Sequence, residues 1–284
     1  MPLHPAAPED LHGLVEAYRQ TVQAVIELGR TCGDREFDLP TACPGWSVKD
    51  QVAHVVSLEQ FMHSGQQPVV RVPEYQHVRN ELGEFTEKGV ELRRGMRGSK
   101  VVDELETVLF ERVEQLSQPG VTLEDVVRTP LGPKPRRDAL RTRIMDIWTH
   151  EQDIRQALGR PGDLDSGAAA VFMDILFELL PRLVARRAGI GPGNVVILES
   201  TGPVMGRAGV WVEDGEDGRP RGIPLFSGVA HDGDPRDVFT TIILSTDALT
   251  RRAAGRGTVD DIHFTVHGDE DVARRVLGNL TFTP

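Results

Sequence analysis

RRDALRTRIMDIWTHEQDIRQALG, residues 136–159, carries two patterns on one helical period. At about 100° per residue, Leu140, Ile144, Ile147, Trp148, Ile154 and Leu158 fall on one side, the spacing of a helix that packs against others. Asp146 and His150 are four residues apart and stack on a different stripe, where Asp153 joins them. Gly159 is placed to cap the C-terminus, with Pro161 beyond it. Glu151 is the exception, a charge in the middle of the apolar stripe. It points past the core edge, or the helix phase is slightly shifted.

Upstream, the same period recurs. From about Pro8 to Arg30 the apolar residues Leu11, Leu14, Val15, Tyr18, Val22, Val25 and Ile26 mark a helix. The prolines and glycine of DLPTACPGW, residues 38–46, stop it. Ser47 starts a second helix with Asp50 three residues on, a capping box in which Asp replaces Glu, and Gly65 ends it. Further helices are expected from about Pro73 to Arg94, Lys100 to Ser117 and Ser166 to Ala188, with the Pro- and Gly-rich residues 117–138 as a loop running into the helix quoted first. At GIGPGN, residues 189–194, the character changes. VVILES, GVWVED, GIPLFSGVA, DVFTTIILST and IHFTVHG are short, β-branched, bounded by turn residues and read as strands. GEDGRPRG reads as an exposed hairpin loop, DALTRRAAG and DEDVARRVLGNL as short helices. The expected fold class is multidomain, α plus α+β: a helical bundle over residues 1–190 and a small α+β domain over residues 191–284.

Asp146 and His150 can hold one divalent cation, because side chains at i and i+4 reach the same point off the helix. Two ligands are too few for tight binding. His54, in the second helix and off the stripe of Val48, Val52, Val55, Val56 and Met62, is the natural third, whereas His63 lies half a revolution away. Two imidazoles and a carboxylate suit zinc or a similar borderline metal and leave a position open for water or a thiol. Plainer readings stand beside this one. An Asp/His pair at this spacing is commonly a surface ion pair, a mid-helix His a boundary residue, and Asp153 a salt-bridge partner of Arg143 or Arg155.

Composition narrows the partners. Acidic residues outnumber basic ones 43 to 32, giving a formal charge of -11, which argues against nucleic acid or an anionic membrane surface. No apolar run approaches the roughly 20 residues of a membrane span, and the first residues carry no signal-peptide pattern. With Cys32 and Cys43 the only cysteines, a cytoplasmic protein is expected.

PTACPGWSVKDQVAHV, residues 40–55, resembles the first metal-ligand segment of the mycothiol-dependent maleylpyruvate isomerase family, within the wider DinB-like four-helix metalloproteins. DIWTHEQDIRQALGRPG, residues 146–162, is similar to that family's second signature, an acidic residue and a His four apart. STDALTRRAAGRGTVD and VHGDEDVARRVLGNLTFTP resemble its small C-terminal domain, of a sterol carrier protein-like type. The resemblance implies a DinB-like bundle with metal ligands His54, Asp146 and His150. Asp146 stands where the family usually has Glu, and its shorter arm moves the metal or admits an extra water. The family also uses an arginine of its C-terminal domain, matched by Arg256, which could clamp a carboxylate or be an ordinary surface arginine.

What the resemblance implies chemically is a zinc-dependent enzyme using mycothiol as thiol cofactor or co-substrate. A zinc ion lowers the pKa of a bound thiol, which then adds to a small electrophilic substrate. In the family's isomerases the adduct allows rotation about a double bond, and in its transferases the adduct is the product. The expected reading is a thiol S-transferase or isomerase. Its alternatives are maleylpyruvate isomerase proper, a metal-dependent hydrolase, or a non-catalytic protein holding a small ligand. Cys43, in the turn before His54, is expected only to pack.

Overall fold

The computed structural model of the chain describes residues 3–226 and 238–283. It divides into two compact units, Pro8–Gly162 and a second formed by Met1–Ala7 with Asp163–Pro284.

The first unit is helical. α1 (Leu11–Arg30), α2 (Val48–Ser64), α4 (Gly98–Leu116) and α5 (Arg136–Leu158) form the bundle, and α3 (Glu81–Arg93) lies against α2. The apolar period of α1 buries Leu14, Tyr18, Val22 and Val25 completely. α2 differs from its expected one-sided stripe, since the stretch Val48–Glu59 is buried almost all round. Helices touch it on several sides: α3, α4 and α5 all pack against it. The α2–α3 approach depends on Gly89, where an added Cβ would lie 1.8 Å from Ser57 Oγ.

The local signals act as expected at the ends. Ser47 and Asp50 close a reciprocal capping box, while Gly65 and Gly159 end α2 and α5 at φ +73° and +65°. Two expectations are corrected. The helix sought from Pro73 begins only at Glu81, where the Asn80 side chain accepts from the Gly83 amide and starts it. The loop of residues 117–138 contains an antiparallel hairpin, β1 (Val126–Thr129) and β2 (Gly132–Pro135), turned at Gly132 with φ +92°.

The second unit starts with α6 (Gly167–Arg182), which continues into one turn of π-helix over Leu183–Arg187. Its sheet runs β5 (Pro220–Leu225), β4 (Met205–Asp214), β3 (Asn194–Thr201), β6 (Val238–Leu244), β7 (Phe264–His267). Only the β3–β6 pair is parallel. The expected GEDGRPRG hairpin is the β4–β5 turn, in which Asp214 faces Pro220. Residues 227–230 of GIPLFSGVA and Asp237 of DVFTTIILST lie outside the described residues. α7 (Thr246–Ala253) contacts β3, and α8 (Glu270–Gly278) lies on β6 and β7.

The units part at Gly162/Asp163 rather than near residue 190. α6 packs on β4 and β5, so the helix expected to close the bundle belongs to the sheet. Ala168–Met173 is buried without a break, and such a run shows that a helix is covered but not by what. Among the described residues, no helix is long and apolar enough to cross a membrane.

Gly89→Ala is expected to destabilise the protein by about 1–3 kcal/mol in urea denaturation, because the α2–α3 contact must open. Gly95→Ala, which meets nothing within 4 Å, is expected to stay within about 0.5 kcal/mol of the parent.

Candidate metal centre

α2 supplies His54, and one turn of α5 supplies Asp146 and His150. One ring nitrogen of each histidine and one carboxylate oxygen lie within 4.8 Å of one another, and among the described residues this is the one such group. His54 Nε2 is 3.2 Å from Asp146 Oδ2 and His150 Nε2 is 3.6 Å from Asp146 Oδ1. Zinc bonds of about 2.0–2.1 Å would set neighbouring tetrahedral donors about 3.4 Å apart, so the donor set fits a divalent cation of that size. Both histidines are buried, while the Asp146 side chain is 24% exposed. Their Nδ1 atoms are buried without a hydrogen-bond partner, and the nearest carboxylate to His150 Nδ1 is Asp153 Oδ2, at 3.9 Å.

The surroundings hold these groups in place. The Trp46 ring lies 4.9 Å from that of His54 and 5.7 Å from that of His150, so one indole walls both imidazoles. Trp46 Nε1 donates to Glu87 Oε2 at 2.8 Å, and Glu87, itself buried, also meets Arg94 and His77. Gly45, at φ +79°, admits the His77 ring where a Cβ would stand. On the other side, Arg143 Nη1 donates to Asp146 Oδ2 and Arg143 Nε to Glu59 Oε1 at 2.7 Å. Glu59 is fully buried and also accepts from Tyr18 Oη at 2.8 Å and Arg112 Nε at 3.2 Å.

These contacts set the charge states. Burial opposes ionisation of Asp146, but Arg143, His150 and His54 outweigh it and hold the carboxyl well below its usual range. Burial likewise opposes the Glu59 charge, and the guanidiniums of Arg143 and Arg112 overcome it. Burial, reinforced by the neighbouring His150, pushes His54 down to about 4. At neutral pH, His54 is therefore an uncharged imidazole and Asp146 a carboxylate, the states that bind a cation.

The three residues expected as metal ligands are thus brought together within the first unit. Arg256 belongs to the second, in the turn after α7, where its Nη1 donates to Ala254 O at 2.8 Å. Asp153 is buried and accepts from Gln51 Nε2 at 3.3 Å. Glu151 is neither past the core edge nor out of phase: it is completely buried, and Arg155 Nε donates to its Oε1 at 2.6 Å. Trp46, Glu59, Glu87 and Gln51 were not singled out by sequence reasoning. Glu59 left a trace, since it extends the face of Val52, Val55 and Val56.

The bundle thus carries a candidate metal-binding cluster between two of its helices. A family model described as the mycothiol maleylpyruvate isomerase N-terminal domain matches residues 6–155, more than half of the chain. The chain belongs to that family of enzymes. A crystal structure of a histidine-to-alanine variant of the mycothiol-dependent maleylpyruvate isomerase superposes with a TM-score of 0.50 at 16% identity. It covers 90% of this chain and 92% of that one. A second crystal structure of the mycothiol-dependent maleylpyruvate isomerase gives 0.49 at 18% identity over the same shares. At these identities the likeness is one of fold. No curated protein matches the chain.

His54 gives the metal-free protein a pH dependence. Its folded pKa, about 4, lies below the reference 6.5, so the unfolded chain takes up the proton first as pH falls. Stability is unaffected above about pH 6.5 and is lost between there and about pH 4, a loss on the order of 3 kcal/mol. Urea denaturation of metal-free protein at pH 7, 5.5 and 4.5 is expected to follow that decline, and His54→Gln to flatten it.

Proposed function

We propose that the chain is a metal-dependent, mycothiol-using enzyme, an S-transferase or isomerase acting on a small electrophilic substrate. The observation that carries this reading is the convergence of His54, Asp146 and His150, in a chain of this family. Two imidazoles and one carboxylate leave a coordination place open, which is the catalytic rather than the structural arrangement, and zinc suits the donor set. A cation bound there supplies the Lewis acidity that favours the thiolate form of a thiol at neutral pH. His54 and His150 serve as neutral donors, and Trp46 keeps both rings from turning away. Arg143 keeps Asp146 deprotonated and fixes its orientation. Asp153 Oδ2, 3.9 Å from His150 Nδ1, would be the carboxylate that supports this imidazole as a ligand.

The family resemblance supports Arg256 as a residue that binds a substrate carboxylate, and the second unit as the sterol carrier protein-like domain. A reducing cytoplasm would keep the thiol cofactor active, and the protein's own cysteines are not joined in a disulfide.

Elemental analysis of untagged protein is expected to give about one divalent cation per chain. His54→Ala and Asp146→Asn should each lose most of it while the far-ultraviolet dichroism is kept. Addition of mycothiol to the cobalt-substituted protein should shift the visible spectrum as sulfur joins the cobalt. Negligible metal in the parent protein would sink this reading. Ester turnover by the loaded protein without any thiol would replace it with a hydrolase.

A further inference from the structure

A second site lies deeper in the same unit. Between the C-terminal ends of α2 and α4, the first turns of α5 and strand β1, a cavity of about 240 Å³ opens beside three arginines, Arg112, Arg136 and Arg143. Met62, Leu140 and Ala139 contribute apolar wall. Arg112 and Arg143 are both buried, and the Arg136 side chain is 15% exposed. The carboxylates nearby are committed: Glu59 is shared between Arg112 and Arg143, Asp146 takes another arm of Arg143, and Asp125 pairs with Arg136 at 3.2 Å. Arg143 Nη2 remains, a buried donor with no acceptor among the described residues. Leaving such a charge-bearing donor unmatched costs about 1–3 kcal/mol or more, which an acceptor brought by a ligand recovers. The N-terminal turn of α5 adds its dipole on the side of negative charge.

We infer that this cavity binds a small organic monocarboxylate, its apolar body among Met62, Leu140 and Ala139 and its carboxylate against the arginines. One unmatched guanidinium nitrogen suits a single negative charge, whereas a dianion would also meet the carboxylates of Glu59 and Asp146. The volume falls below the roughly 300 Å³ at which drug-sized ligands are held, so the ligand is small and a sugar-bearing thiol is excluded. The site goes beyond the proposed reaction and does not depend on it. A cation held by Asp146 would draw on the charge of the carboxylate that also compensates Arg143, with the hydrogen bond between them kept, so carboxylate and cation would bind with positive coupling.

The test titrates metal-free protein with 4-fluorobenzoate, followed by fluorine NMR, and with benzoate, followed by calorimetry. Saturable binding with a Kd of about 1 mM or tighter is expected, and benzyl alcohol should bind at least tenfold more weakly. Arg136→Gln should weaken benzoate about tenfold, and Ala139→Phe, which fills the cavity from its apolar wall, should abolish binding. Equal affinity for benzyl alcohol, unchanged binding by both variants, or no saturation because the cavity holds only water would each overturn the proposal. If Ala139→Phe does not fold, the alcohol comparison and Arg136→Gln still decide it. Repeating the titration with one equivalent of zinc reads the coupling, and a failure there alone leaves the site standing and removes only the link to the metal.

Discussion

Glu59 is the charge around which the first unit is assembled. Its carboxylate is completely buried and receives hydrogen bonds from Tyr18 on α1, Arg112 on α4 and Arg143 on α5, while the residue itself sits on α2. Four helices therefore meet at one ion. Desolvating a carboxylate and two guanidiniums costs several kcal/mol per ion, so the arrangement contributes little net stability beyond what an apolar core would. What it enforces is mutual dependence. Removal of Glu59 leaves two buried guanidiniums without their shared carboxylate, and such losses run to about 3–5 kcal/mol. The helices can consequently pack in one register only, and that register also fixes where α2 and α5 face each other at His54, Asp146 and His150.

Arg143 makes the connection between core and site explicit. One of its nitrogens is committed to Glu59 and another to Asp146, one turn before His150. The same guanidinium thus neutralises the Glu59 carboxylate and holds that of Asp146 ionised. The arm length at position 146 matters here. An Asp reaches both imidazoles and Arg143 at once only because its carboxylate stays close to its own helix, which is where the guanidinium already lies. A Glu at this position would carry the carboxylate further from α5, so the short side chain and its arginine are a matched pair.

How much of this was legible depended on what kind of constraint was at work. Helix ends declare themselves in a few adjacent residues, so the Ser47/Asp50 capping box and the Gly159 cap could be read directly. The trio could be read in part, because Asp146 and His150 share a stripe by geometry, but His54 joined them only through its place off an apolar face. The β1–β2 hairpin was hidden by its Pro and Gly content, which signals turns and conceals the short pairing between them. α6 was visible as a helix and misplaced as to neighbours, since periodicity reports burial and not the identity of the cover. The largest omission was ionic. Glu59, Arg143 and Glu151 occupy apolar positions in their helices, and a single charge on such a face looks like a flaw until its partner, 84 residues away in the case of Glu59 and Arg143, is brought beside it.

The same separation explains why net charge misleads about this protein's interior. A formal charge of -11 describes a chain whose acidic excess is spread along its length. Around Glu59 the local balance differs, because Arg112 and Arg143 share that carboxylate and Asp146 takes another arm of Arg143. A field is set by the nearest groups in a medium of low polarisability, and distant surface carboxylates are screened within about 10 Å of salt solution. An anion at the mouth of the site would therefore respond to the guanidiniums before it responds to the total. A negative total thus does not decide against acidic small molecules, and the buried arginines supply a physical reason to expect them.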